Sequence, residues 1–253
     1  TKNFSTVLGD CFVQEDSSRL PGCTFGDPNG KIDIALFGDS HLGQWFEAID
    51  QIAKDLGFKT RVYMHAGCSV AGIATYSWLR KTYETWCTPW FESALADIES
   101  KGFDYVLMAN HSFLWDAETK TDITPERWAE GMRATIERIR SHGAYPILFG
   151  DNPRFGFDFL QCLVNNVKDV SGCSAKRKDA TRREFERIGR LLMAESGGLY
   201  INMADLMCTE KICPVIIGNR LLYRDFNHLN VEGTMLFEPI VRAYLGKFLR
   251  LPN

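Results

Sequence analysis

Apolar and polar positions along this chain predict strands that alternate with helices. Short, mostly apolar runs that fit buried strands occur at residues 32–37, 60–64, 105–109, 145–149 and 199–202. Amphipathic stretches lie between them, two of which open on the helix start signals Thr88-Pro89 and Thr124-Pro125. This alternation predicts an α/β fold, a three-layer αβα sandwich with a mostly parallel central sheet.

The remaining segments give the domain organisation. Residues 1–31 are polar and rich in turn residues, which predicts a loop-like lead-in, the end of a linker. Residues 151–174 have no clear period and are expected to be irregular, residues 175–195 are predicted to form one basic amphipathic helix, and a last helix is expected from about 230 to 249. We therefore expect one domain over residues 32–253.

Composition and charge narrow the function classes. The chain has 253 residues, 45% of them hydrophobic, which is enough for a full core. Its net charge of −3 gives no electrostatic reason to expect a nucleic-acid partner. No apolar run approaches the roughly 20 residues that cross a bilayer, and the first residues lack the plan of a signal peptide.

The chain has eight cysteines, which fall into close sequential pairs: Cys11/Cys23, Cys68/Cys87, Cys162/Cys173 and Cys208/Cys213. About 105 full pairings are possible, and we favour the sequential one because of proximity and the flanking Gly and Pro residues. A zinc site is disfavoured because no Cys-x-x-Cys spacing occurs, so no metal is expected. Disulfides imply an oxidising compartment, and we expect the chain to be part of a longer exported or membrane-anchored protein.

Three residues suggest nucleophilic catalysis. Ser40 follows a predicted buried strand and opens a helix, where backbone N–H groups and the helix dipole favour developing negative charge. A serine needs a base to take its proton, and an acid must orient that base. Asp225 and His228, with two residues between them, lie just before the last helix. Each of the three has a structural alternative as a cap, turn or core residue, but together they predict a catalytic triad.

These blocks resemble the SGNH (GDSL-like) hydrolase superfamily: Gly38-Asp39-Ser40-His41 near the start, Asn110 after a middle strand, and Asp225-x-x-His228 near the end. The turn at residues 66–68 and the run at residues 222–229 after Cys208 and Cys213 more narrowly resemble the extracytoplasmic SGNH domain fused to membrane acyltransferases of acyltransferase family 3. That resemblance implies O-acetylation of a bacterial surface glycan such as lipopolysaccharide, with residues 32–253 as the catalytic domain.

The resemblance also implies an oxyanion hole. Its donors would be the backbone N–H of Ser40, the backbone N–H of a glycine, and the side-chain amide of Asn110. Both Gly67 and Gly72 could supply the glycine, and we favour Gly67. The domain would be periplasmic, would receive acetyl groups from a fused or associated membrane acyltransferase, would act on a carbohydrate acceptor, and would need no cofactor of its own.

Residues outside the triad are candidates for substrate binding. His111 follows Asn110 and could contact the acceptor, Trp115 could stack on a sugar ring, and Arg154 could bind an anionic glycan or pair with an acid. Two other functions use the same sequence features. A carbohydrate O-acetyl esterase would pass the acyl group to water through the same triad, and a glycan-binding domain would keep the triad without chemistry.

Overall fold

The computed structural model describes residues 4–14, 16–77 and 80–249. In chain order, its strands are β1 Phe12–Val13, β2 Thr24–Gly26, β3 Ile32–Gly38, β4 Phe58–His65, β5 Thr75–Ser77, β6 Thr82–Tyr83, β7 Tyr105–Ala109, β8 Trp115–Asp116, β9 Tyr145–Phe149, β10 Ala175–Lys176, β11 Leu199–Ile201, β12 Ile212–Cys213, β13 Ile216–Ile217 and β14 Arg220–Leu221.

The helices are α1 Phe4–Leu8, α2 Ser40–Gly43, α3 Phe46–Leu56, α4 Cys87–Lys101, α5 Pro125–Ser141, α6 Phe159–Asn165, α7 Arg177–Ala180, α8 Arg183–Ser196, α9 Met203–Met207 and α10 Val231–Phe248. Short 3-10 turns occur at Gly9–Cys11 and Val170–Cys173. Every strand predicted from the sequence corresponds to a strand of the structure, within a few residues at each end.

The main sheet has the order β1-β4-β3-β7-β9-β11, and its strands pair in parallel. Strand β2 is the exception, because it pairs antiparallel with β4 at the same edge as β1. Gly38 at the end of β3 lies opposite Met64 of β4 and Ala109 of β7. The carboxyl ends of these strands therefore meet at one edge of the sheet, where ligands bind in open α/β folds.

Helices cover both faces of the sheet, as a three-layer sandwich requires. Along β3, Ile34 and Leu36 belong to a core shared with α3 and α10, whereas Ala35 and Phe37 belong to a core shared with α4, α5 and α8. Successive side chains of a strand point to opposite faces, so a strand buried on both faces must be apolar throughout. The predicted αβα sandwich is confirmed.

The loop-like character predicted for the lead-in is wrong over much of its described part. Residues of α1 and β1 pack into the same core as α3 and α10, with Phe4, Leu8 and Phe12 all buried. Both β1 and β2 extend the main sheet through β4. The helices and strands of the lead-in are too short to show a hydrophobic periodicity in the sequence. Their burial depends on contacts with β4 and α3, which lie far away along the chain.

Two further predictions in the second half need correction. The segment expected to be irregular contains α6 and the 3-10 turn at Val170–Cys173. The basic helix predicted over residues 175–195 is divided into β10, α7 and α8. The chain is extended at Thr181, and the carbonyl of Ala180 accepts a hydrogen bond from the N–H of Arg154 at 2.9 Å. This tertiary contact favours the break over a continuous helix.

Four disulfides join the cysteines in sequence order, which confirms the favoured pairing: Cys11–Cys23, Cys68–Cys87, Cys162–Cys173 and Cys208–Cys213. The second bridge ties the turn after β4 to the first residue of α4. Within the described ranges, no helix is long and apolar enough to span a membrane.

Candidate active site

Ser40 is the first residue of α2, directly after the sharp turn that ends β3. Asp39 caps this helix, because its Oδ1 accepts the N–H of His41 at 2.8 Å. Its Oδ2 accepts the N–H of His111 at 2.9 Å, which joins the turn to the end of β7. Burial raises the pKa of Asp39 to about 6. The buried carboxyl group thus fixes the turn through these two hydrogen bonds, while Ser40 next to it is only half-buried.

The structure brings the three predicted triad residues into hydrogen-bond contact. The Nε2 atom of His228 lies 2.9 Å from Oγ of Ser40. The Nδ1 atom of His228 lies 3.0 Å from both carboxylate oxygens of Asp225. Oδ1 of Asp225 also accepts the backbone N–H groups of Asn227 and His228, so the acid and the base share one tight loop. This arrangement can move a proton from the serine to the imidazole.

The electrostatics suit a general base. Burial lowers the pKa of His228, and a positive charge on His41 adds to this effect against the opposing influence of Asp225. Burial would raise the pKa of Asp225, but the hydrogen bond from His228 and two backbone N–H groups outweigh it and hold that pKa well below its usual range. At neutral pH the site therefore contains a neutral imidazole beside a carboxylate.

Two backbone N–H groups predicted to act as oxyanion donors are free within the described part of the chain. Among the described residues, the N–H groups of Ser40 and Gly67 have no hydrogen-bond partner, whereas the N–H of Gly72 donates to the carbonyl of Ser69 at 3.2 Å. Gly67 has a φ of +76°, and a Cβ atom there would lie 3.0 Å from a carboxylate oxygen of Glu84. A Cβ atom on Gly72 would instead meet the ring of Phe91. Of the two glycines, Gly67 is therefore the one whose N–H is free within the described ranges, as the predicted oxyanion hole requires.

Asn110 follows the carboxyl end of β7, which pairs with β3, the strand that precedes Ser40. Its side-chain nitrogen donates to the carbonyl of His111 at 2.8 Å, so one of its two N–H groups is already used. The side chain is almost fully buried. Asn110 thus has one remaining N–H group for an oxyanion.

A second cluster of ionisable groups lies next to the triad. The rings of His41 and His111 stack with centroids 4.2 Å apart, and the ring of His41 is 5.0 Å from that of His228. The Nδ1 atom of His41 lies 2.6 Å from Oδ1 of Asp151, and Nδ1 of His111 lies 3.3 Å from its Oδ2. Asp151 also accepts two hydrogen bonds from Ser112, through its N–H and its hydroxyl.

This cluster contains the side-chain types of a metal site, with ligand atoms within 4.8 Å of one another. Both carboxylate oxygens of Asp151, however, already take part in hydrogen bonds within the cluster. Burial lowers the pKa of His41, but the charge and hydrogen bond of Asp151, together with the charges of Asp39 and Asp225, outweigh burial and raise that pKa. Burial and the charge on His41 lower the pKa of His111 to about 4. We interpret the cluster as a buried His41–Asp151 ion pair with a neutral His111 stacked on it.

Sequence reasoning missed the residues that hold the loops together. Gln44 is buried, donates to Oδ1 of Asn152 at 2.6 Å, and accepts the N–H of Leu229 at 2.6 Å. Asn152 donates to the carbonyl of Asn227 at 2.7 Å. These contacts join the end of α2, the loop after β9 and the loop that carries Asp225 and His228. The only sequence sign of Asn152 was its place after a predicted strand.

A cleft of about 230 Å³ lies beside the triad loop. Gly67 and His111 line it together with two residues of that loop, Phe226 and Asn227. It also contains the predicted substrate residues Trp115 and Arg154. The structure therefore brings the glycine, the histidine, the tryptophan and the arginine predicted from the sequence to one surface.

The fold is a mostly parallel αβα sandwich, with a serine after its first long strand and an Asp-x-x-His loop before its last helix. These features define an SGNH-type protein, a class of hydrolases and acyl-transferring enzymes. The family model described as "SGNH domain (fused to AT3 domains)" matches residues 10–243, so this chain belongs to that family.

Several solved structures have similar folds. The periplasmic domain of a lipopolysaccharide acetyltransferase from Salmonella ser. Paratyphi A has a TM-score of 0.64 at 16% identity, over 87% of this chain and 84% of that chain. A putative acylhydrolase from Bacteroides fragilis has a TM-score of 0.51 at 14% identity, over 89% of this chain and 91% of that chain.

A catalytic mutant of an acetylxylan esterase from Geobacillus stearothermophilus has a TM-score of 0.51 at 10% identity, over 87% of this chain and 95% of that chain. At these identities the likeness concerns the fold. No curated protein matches the sequence.

Proposed function

We propose that this protein is an O-acetyltransferase that moves an acetyl group, through an acyl-enzyme on Ser40, to a hydroxyl of a bacterial surface polysaccharide such as lipopolysaccharide O-antigen. The observation that carries the proposal is the hydrogen-bonded series from Ser40 through His228 to Asp225. It stands next to a cleft with aromatic walls, in a domain whose family is fused to AT3 domains.

The first half of the reaction forms the acyl-enzyme. Oγ of Ser40 attacks the carbonyl carbon of the acetyl donor while its proton passes to Nε2 of His228. The N–H groups of Ser40 and Gly67, with the remaining N–H of Asn110, stabilise the oxyanion; losing one such donor costs on the order of 10²–10³ in rate. The donor's leaving group then departs with the proton from His228.

The second half reverses these steps with a sugar hydroxyl. The hydroxyl oxygen attacks the acetyl-enzyme, its proton passes to His228, and Ser40 leaves as the free hydroxyl after taking that proton back. One ester bond breaks and one forms, so the transfer needs no oxidant or coenzyme in this domain. We propose that the AT3 partner supplies acetyl groups from the membrane and that this domain acts on the periplasmic side.

The test separates transfer from hydrolysis. Wild type and Ser40→Ala are mixed with 4-nitrophenyl acetate, with and without a bacterial lipopolysaccharide, and both free acetate and acetylated glycan are measured by mass spectrometry. We expect the Ser40→Ala variant to lose at least about 10³ in rate. Ser141→Ala, on the exposed end of α5, is the matched control.

Three outcomes are informative. Acetyl on the glycan that depends on Ser40 supports the transferase. Acetate alone, again dependent on Ser40, would mean that water is the acceptor and that the protein is a carbohydrate O-acetyl esterase. Equal rates for wild type and Ser40→Ala would refute the catalytic triad and favour a glycan-positioning domain.

A further inference from the structure

The cleft beside the triad contains a guanidinium group that is not neutralised by an acid. Arg154 lines this cleft and is only partly buried. Within the part of the chain that the structure describes, no carboxylate lies within ion-pair distance of it. The acid that shares the cleft, Glu84, is almost fully buried and pairs with Arg80. The cleft therefore presents a net positive charge to a ligand.

Arg154 is held in place by aromatic rings. Its Cζ atom lies 4.8 Å from the ring centroid of Phe113 and 5.6 Å from that of Phe226. Its backbone N–H donates to the carbonyl of Ala180 at 2.9 Å. Stacking on two rings restricts the side chain, so less conformational entropy is lost when its N–H groups bind a ligand.

The segment that carries Arg154 contacts the loop that carries Asp225 and His228. Phe226 stands between Asp225 and His228 in the triad loop, and its carbonyl accepts the N–H of Phe155 at 2.8 Å. A second guanidinium, that of Arg182, lies 5.1 Å from the ring of Phe113. Asp122 forms an ion pair with Arg182 at 3.2 Å and so offsets the positive charge of Arg182. Arg154 is therefore the guanidinium suited to bind an anion.

The other walls of the cleft fit a sugar. Tyr76 and Trp115 lie in the small sheet formed by β5, β6 and β8, with ring centroids 6.5 Å apart, and both line the cleft. Aromatic faces pack against the apolar faces of pyranose rings. An arginine fork beside such rings can form two parallel hydrogen bonds to a carboxylate or phosphate.

We propose that Arg154 binds an anionic substituent of the acceptor, so that the acceptor is an acidic polysaccharide carrying a carboxylate or a phosphate. The proposal rests on the proposed function and adds the chemical class of the acceptor. The sugar ring lies against the aromatic walls, and the anionic group contacts Arg154 while a hydroxyl is presented to Ser40.

The test compares an acidic and a neutral disaccharide of matched size, with a sugar phosphate as a second anionic probe. Dissociation constants for digalacturonic acid, galactobiose and galactose 1-phosphate are measured by calorimetry at low salt. We expect wild type to bind at least one anionic sugar on the order of 10–100-fold more tightly than galactobiose. Arg154→Met should abolish this preference and leave galactobiose binding unchanged, and Arg154→Lys should retain part of it because the charge remains without the fork.

Controls distinguish the outcomes. Arg187→Met, on the exposed face of α8, should bind all three sugars as wild type does. Equal affinities of wild type for acidic and neutral sugars, or an equal loss for all sugars in Arg154→Met, would overturn the proposal. The activity of wild type and Ser40→Ala on 4-nitrophenyl acetate tests the proposed function separately, because that ester carries no anionic group.

Discussion

Replacing Asp225 by Asn isolates the charge of the triad acid from its structural contacts. The backbone N–H groups of Asn227 and His228 donate to Oδ1, at 3.1 and 2.8 Å, and an Asn oxygen can still accept both. What is lost is the second oxygen, which faces Nδ1 of His228 and the guanidinium of Arg224. The loop should therefore keep its shape while the imidazole loses its carboxylate.

The size of the effect follows from the distance. Two unit charges 3.0 Å apart interact by about 5 kcal/mol at an effective dielectric constant of about 20. The side chain of Asp225 is 35% exposed, so screening reduces this to about 3–5 kcal/mol of lost stabilisation when His228 becomes positive. Since 1.4 kcal/mol corresponds to a factor of ten, kcat should fall on the order of 10²–10⁴-fold.

The Asn amide adds a second cause. Its nitrogen can donate to Nδ1 of His228, which favours the tautomer with the proton on Nε2. That tautomer cannot accept the proton of Ser40. Hydrolysis of 4-nitrophenyl acetate measures the loss, and Asp179→Asn, at an exposed position of α7, is the control. A rate within threefold of wild type, with the thermal unfolding midpoint unchanged, would refute the role of Asp225.

Two other predictions test the surroundings of the triad. Because burial lowers the pKa of His228, the acid limb of the pH profile of kcat/KM should lie below pH 6.5. His41→Gln removes a nearby positive charge and should move this limb to higher pH. An unmoved limb would contradict the effect of His41 on the pKa of His228. Replacing Cys68 and Cys87 together by Ala should cost about 2–4 kcal/mol of unfolding free energy and also lower kcat, because the bridge adjoins the Gly67 turn. The matched removal of Cys162 and Cys173 should lower stability without the same loss of kcat, as measured by chemical denaturation and ester hydrolysis.

The central features of the fold, and the contact among Ser40, Asp225 and His228, could be predicted because short segments of the sequence specify them. The apolar run of β3 ends in a turn that carries Ser40, and both Asp225 and His228 lie within four residues of each other. A parallel sheet then brings the ends of its strands together, so that order and position along the chain imply proximity. The lead-in lacked such local information because its short elements depend on β4 for pairing.

The network around Asp151 illustrates what local patterns cannot contain. Asp151 follows β9, and its partners His41 and His111 follow β3 and β7, so the cluster forms only because β7 lies between β3 and β9 in the sheet. Nothing in the spacing of these residues specifies that order. Once the order is known, the function of the cluster follows from charge: the pair formed by His41 and Asp151 places a buried cation 5.0 Å from the ring of His228. A positive charge on His41 lowers the pKa of His228 and so favours the neutral form of the proposed base, which makes the neighbouring histidine part of how that base is tuned.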